Sequence, residues 1–223
     1  MNSRVTDEPA KARTDLHRRN DPPSRSHHSI SVAAVRRAGA GLAAGSLSWA
    51  VAMFVFGSTG AGIGERVVDL TGLLFQLGVF GLLIVQMRTQ AIGTSRFAAA
   101  ALTVEAVLLG LASVWSLLHG VLPDDVKNAA WLMAFDLCWP VSMLGMALIS
   151  VKLAAAKRWS GLLRWWPLVA ESWAVVSIPS SVVFGEDVSA WIGGGHLLVG
   201  YATLGVLLMA RPGHIAFVPS EEA

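Results

Sequence analysis

The chain has 223 residues, of which 54% are hydrophobic and 14% charged, against about 45 to 50% and about 25% in soluble domains, which excludes an ordinary soluble domain. A single cysteine, Cys138, excludes an internal disulfide, a CxxC redox pair and a thiolate-rich zinc or iron–sulfur site. Seventeen Lys and Arg against 15 Asp and Glu leave a net charge of +2, so the information lies in where the charges fall rather than in their sum.

Residues 1–37 are polar and rich in Arg, Ser, Pro and His. They carry too few apolar side chains to build a core and read as a disordered cytoplasmic tail. Phe, Tyr and Trp are absent from it, which removes the stacking platform that single-strand recognition needs, and no nucleic-acid partner is expected. His27-His28 supply too few fixed ligands for a metal. With eight basic and four acidic residues, the tail leans on anionic headgroups at about 1 kcal/mol per basic residue near the surface. Because 37 polar residues come before any apolar run, no cleavable signal peptide is expected.

From residue 38 the composition changes, and apolar runs long enough to cross a hydrocarbon layer recur. They predict an all-α integral membrane protein, a six-helix bundle over 38–211 with spans at 38–57, 67–87, 97–118, 129–151, 165–184 and 190–210. Residues 212–223 then form a short cytoplasmic tail. A soluble bundle would show a polar stripe every three to four residues. Here Leu70 to Val85 contains one strongly polar side chain, Gln76, and Ala98 to Leu118 contains Glu105 and otherwise only small hydroxyls, so lipid is the solvent that suits them. Connections of 9, 9, 10, 13 and 5 residues force antiparallel neighbours. A short echo joins Ser48-Trp49-Ala50-Val51 in the first span to Ser172-Trp173-Ala174-Val175 in the fifth.

Fifteen basic residues fall on the side of the tail and two, Arg66 and Lys127, on the other, which places both termini in the cytoplasm; a plasma membrane is the default location. Trp131 and Trp191 sit at outer span ends, and Trp159, Trp165 and Trp166 are expected at the inner interface, where an indole is half wet. The loop Gly57 to Glu65 is glycine-rich, but it follows a membrane helix, and Ile63, Gly64 and Glu65 stand after Gly62 where a phosphate cradle needs Lys and Ser/Thr, so it reads as a turn. Gly41 with Gly45, and Gly193 with Gly200, mark faces for close helix packing.

The informative residues are ionisable groups inside spans: Glu105, Asp136, Glu171 and His196. A charged acid at mid-membrane costs about 2.5 to 3.5 kcal/mol, so each must face protein or water. Depth sorts them into two layers, Glu105 with Glu171 towards the cytoplasmic side and Asp136 with His196 towards the outside. The two glutamates are expected as neutral acids. Asp136 and His196 are expected to meet across the fourth and sixth spans, with His119 and Asp69 at the mouth, in an outward-facing polar cavity between spans three, four and six. Pro140 frees the carbonyl of Asp136 and bends the fourth span; Pro179 does the same to the fifth.

These residues favour small-solute or proton binding and transport. A non-catalytic accessory or scaffold protein is the alternative. A haem-binding redox protein, with His119 and His196 ligating one iron of haem b from opposite sides, is a minor third reading; otherwise no cofactor or metal is expected. Ser113 and Ser116 lie near His119, but no G-x-S-x-G or HExxH motif occurs, so an enzyme is not favoured. Expected partners are the lipid bilayer and a second copy or another membrane protein.

Overall fold

The computed structural model describes residues 30–57, 62–127 and 129–215. It is an all-α membrane fold whose six spanning helices are α1 (Val32–Phe56), α2 (Ile63–Arg88), α3 (Arg96–Val121), α4 (Ala130–Ala156), α5 (Gly161–Phe184) and α6 (Glu186–Ala210). One helical turn, Asp124–Lys127, separates α3 from α4.

Side-chain caps set two of the starts. The hydroxyls of Ser31 and Ser95 accept from the amides of Ala34 (3.2 Å) and Ala98 (3.1 Å), satisfying donors that the first turn leaves unpaired. The first cap moves the start of α1 six residues ahead of the expected one: residues 32–37 are helix, not tail. The expectation of a disordered segment over residues 1–29 lies outside the described residues. At the other end of the chain residues 212–215 are ordered too. Pro212–His214 form a 3₁₀ turn, and Ile215 pairs with Trp159 in an isolated antiparallel bridge.

Three spans are interrupted. α4 breaks at Leu137, where Pro140 cannot donate to the carbonyl of Asp136, and the next bond, Val141 N to Leu137 O, is stretched to 3.5 Å, as the proline rule requires. α5 is helical through Pro179 and breaks at Ser172. There the serine hydroxyl donates to Val169 O at 2.8 Å, a local bond that competes with the helix ladder. α6 widens into a π-turn over Leu198–Ala202.

Each span packs chiefly on its neighbours in the chain, and α6 closes back on α1, so the bundle is a ring. Backbone contact makes two of the seams. A Cβ on Gly45 would lie 2.6 Å from the carbonyl oxygen of Leu74, and one on Gly78 2.7 Å from Leu42 Cα, which fixes α1 against α2. Gly39 and Gly205 do the same for α1 and α6, each Cβ falling 2.5 Å from the other's carbonyl oxygen. Such close approach is what small residues provide where lipid gives no hydrophobic drive between helices.

Aromatic rings fill the middle of the ring. Phe75 lies 5.1 Å from Trp49, 6.2 Å from Trp139 and 4.8 Å from Tyr201, and Trp49 lies 5.5 Å from Trp173. The two tryptophans of the Ser-Trp-Ala-Val echo therefore meet at the centre. The outward faces carry exposed Leu144, Val175 and Val182, the surface that lipid requires.

The two ends differ in charge. The acidic end carries Glu65, Asp69, Asp124, Asp125, Glu186 and Asp187, and the basic end carries Arg88, Arg96, Lys152, Lys157, Arg158, Arg164 and Arg211. At the basic end Trp159 is not half wet as expected. It is 1% exposed, and its indole donates to Thr89 Oγ1 at 3.1 Å, pinning the α4–α5 connection to the end of α2. Trp131, Trp165 and Trp191 are exposed, at 53%, 53% and 63%.

Candidate functional site

Glu105 and Glu171 are each 2% exposed, and each is held by one hydroxyl from the next helix in the ring. Ser142 Oγ of α4 donates to Glu105 Oε1 at 2.5 Å, and the hydroxyl of Tyr201 on α6 donates to Glu171 Oε2 at 2.6 Å. Gly145, one turn beyond Ser142, leaves the space that Glu105 Oε2 fills, since a Cβ there would overlap that oxygen. Glu171 Oε1 finds no hydrogen-bond partner among the described residues. No lysine or arginine bonds to either carboxyl among the described residues. Glu105 lies nine residues into α3 and Glu171 ten residues into α5, both counted from the basic end, so the two acids stand at comparable depth along their helices.

The expected outer pair is not found. His196 Nε2 lies 3.0 Å from Ser172 Oγ on α5, the residue after Glu171, and makes no hydrogen bond to Asp136. Two features explain the error. α6 begins at Glu186, one turn ahead of the expected residue 190, so His196 lies ten residues in rather than six; and in the ring α4 packs on α3 and α5 while α6 packs on α5 and α1. Asp136 itself is exposed on the bundle surface. α3 and α4 pack on each other, and neither packs extensively on α6. A groove of about 430 Å³ lies elsewhere, between α1 and α2, lined by apolar side chains such as Leu47, Val51, Val55 and Val67.

His119 and Asp69 do meet at the mouth, with Nδ1 2.7 Å from Oδ2. Glu65 Oε1 stands 3.8 Å from the other ring nitrogen, and Trp115 stacks on the imidazole at 4.7 Å. Lys127, 6% exposed, bonds Glu65 at 2.6 Å and Asp124 at 3.1 Å, and Arg66 bonds Asp124 at 3.1 Å. These contacts tie the α3–α4 turn to the start of α2. Bonds from Glu65 and then Asp124 hold the Lys127 ammonium above the ordinary lysine range. Those from Lys127 and then Arg66 hold the Asp124 carboxyl below the ordinary carboxylate range.

Several partners escaped the sequence reading: Ser142, Tyr201, Ser172, Lys127, and Ser116, which accepts from Gln76 at 2.9 Å. Tyr201 is the single tyrosine of the chain, a polar ring in an apolar span, and that was the one signal available for it. His119 and His196 are held by different helix pairs, α2 with α3 and α5 with α6. Among the described residues no three His, Cys, Asp or Glu side chains converge as metal ligands. Ser113 turns to its own helix, donating to Leu109 O at 2.8 Å.

Fold and polar core together define a multi-pass membrane protein with a buried carboxyl pair inside a closed six-helix ring. No family model matches the chain, and no curated protein and no solved structure is similar to it.

Proposed function

We propose that this membrane protein binds and passes protons, with Glu105 and Glu171 as the groups that hold them and the His119–Asp69 pair at the acidic mouth. The observation that carries the reading is the two carboxyls themselves: buried acids on α3 and α5 at comparable depth, each with a hydroxyl donor and no basic partner among the described residues. Negative charges so placed in a low-dielectric core are poorly solvated, and a bound proton relieves that penalty. A proton also needs no cavity, which suits a ring whose middle is filled by aromatic side chains, whereas a solute would need one.

The fifteen to two split of basic residues supports an orientation with the basic end and both termini cytoplasmic, with the plasma membrane as the default location. The exposed carboxyl of Asp136 supports a homodimer or a partner membrane protein that gives it a hydrogen-bond donor, because lipid cannot.

Infrared difference titration of the purified protein, combined with proton flux into vesicles, tests the reading. We expect a protonated-carboxyl band that loses one component in Glu105→Gln and another in Glu171→Gln, and flux reduced about a hundredfold or more in either. Absence of flux in the unsubstituted protein, with both variants as stable as it is, overturns the reading and leaves the two acids the structural role that an accessory protein would give them.

A further inference from the structure

The π-turn of α6 has its own set of supports. Five residues, Leu198–Ala202, adopt it, and widening a helix by one residue frees carbonyls that must be satisfied elsewhere. Trp166 of α5 supplies its indole N–H to Gly200 O at 3.1 Å and Val199 O at 3.3 Å. Thr203 Oγ1 donates to Leu198 O at 3.1 Å. Gly200 admits α5 closely, since a Cβ there would lie 2.9 Å from Ala170 Cα.

All of this converges on one side chain. Tyr201 lies inside the π-turn, is 1% exposed, and its hydroxyl is the hydrogen-bond donor to Glu171. Gly200 meets Ala170 immediately before Glu171 in the chain, and Tyr201 immediately follows Gly200, so the close backbone contact and the tyrosine–glutamate bond are adjacent rungs of one seam. In a regular α-helix each added residue turns the next side chain by about 100°, so the extra residue of a π-turn decides which way Tyr201 points.

We infer that Tyr201 is the positioning residue for the proton on Glu171, set on that carboxyl by the π-turn and by the Trp166 indole that supports it. The inference rests on the proton-binding reading above. The titratable group bonded to Glu171 is Tyr201 from α6; Glu105 of α3 stands at comparable depth, and His196 is bound to the adjacent Ser172. A phenol that donates to a carboxyl stabilises its ionised form more than its neutral one, because a hydrogen bond to a charged acceptor is the stronger. Tyr201 therefore eases release of the proton, and Trp166 acts one step behind it.

The test follows the Glu171 infrared band, identified by its loss in Glu171→Gln, through a pH titration of the full-length protein in detergent. Tyr201→Phe is expected to tighten proton binding at Glu171 about tenfold, and Trp166→Phe to move it in the same direction by less, while the Glu105 band keeps its midpoint within about a factor of two. If the Glu171 band titrates in the unsubstituted protein but neither variant moves its midpoint, the inference is overturned and the proton-binding reading stands. If Tyr201→Phe does not fold, Trp166→Phe decides alone. A Glu171 that never gains or loses a proton overturns the reading itself.

Discussion

Gly145 faces the carboxyl of Glu105 so closely that any side chain there displaces it. Because the group in the way is the far end of a flexible glutamate, Gly145→Ala is expected to fold, with the Glu105–Ser142 bond broken at a cost of about 1 kcal/mol. The check is a shift of the Glu105 infrared band together with a small fall in melting temperature. At the acidic end the sign of pH dependence follows from the ion pairs. The raised Lys127 ammonium contributes stability below the ordinary lysine range and loses it as pH rises through the raised value. The lowered Asp124 carboxyl contributes above the ordinary carboxylate range and loses it as pH falls through the lowered value. Tethering of the α3–α4 turn should be flat from about pH 4 to about pH 10 and weaken outside that window. Hydrogen exchange at 124–127, compared between the unsubstituted protein and Lys127→Met, measures it; a variant with the same pH profile would refute the assignment.

Helix contacts separate glycines that look alike in the sequence. Gly41 has open space around its Cβ position, whereas Gly205 meets the carbonyl oxygen of Gly39 and the amide of Ala43. Gly41→Ala is expected to be neutral or to gain up to about 1 kcal/mol from helix propensity, and Gly205→Ala to lose about 1 to 3 kcal/mol by prising α6 from α1. Thermal unfolding of both variants in one detergent gives the comparison, and equal stability would sink the proposed seam. This contrast also marks how far the sequence is legible. Hydropathy located all six spans because lipid imposes one demand on every residue of a span, and depth along a helix brought Glu105 level with Glu171. Direction around a helix is another matter: with apolar side chains on all sides, no stripe indicates which face meets which neighbour. Asp136 was assigned to His196 for that reason, and the added first turn of α6 compounded the error. Trp159 was misread because an indole at a span end suits either an interface or a buried donor, and only the position of Thr89 decides between them.

As a whole, the molecule is a ring of antiparallel helices with one acidic and one basic end. Reporter fusions at residues 62, 124 and 187 are expected outside and those at 92, 158 and 220 inside, as the charge asymmetry requires. An outside signal at 158 would reverse the proposed orientation, because the Lys157–Arg158 connection belongs to the basic end that Trp159 ties to α2.

Of the nine tryptophans in the chain, Trp49, Trp139 and Trp173 belong to the aromatic centre, which also holds Tyr201, the partner of Glu171. The excited indole has a large dipole, so the colour of its emission responds to charge nearby. The protein thus carries its own optical gauge next to the group proposed to gain and lose a proton. Emission should change in step with the Glu171 titration, and Glu171→Gln should flatten that response while leaving the brightness of the exposed Trp131 and Trp191 as it was.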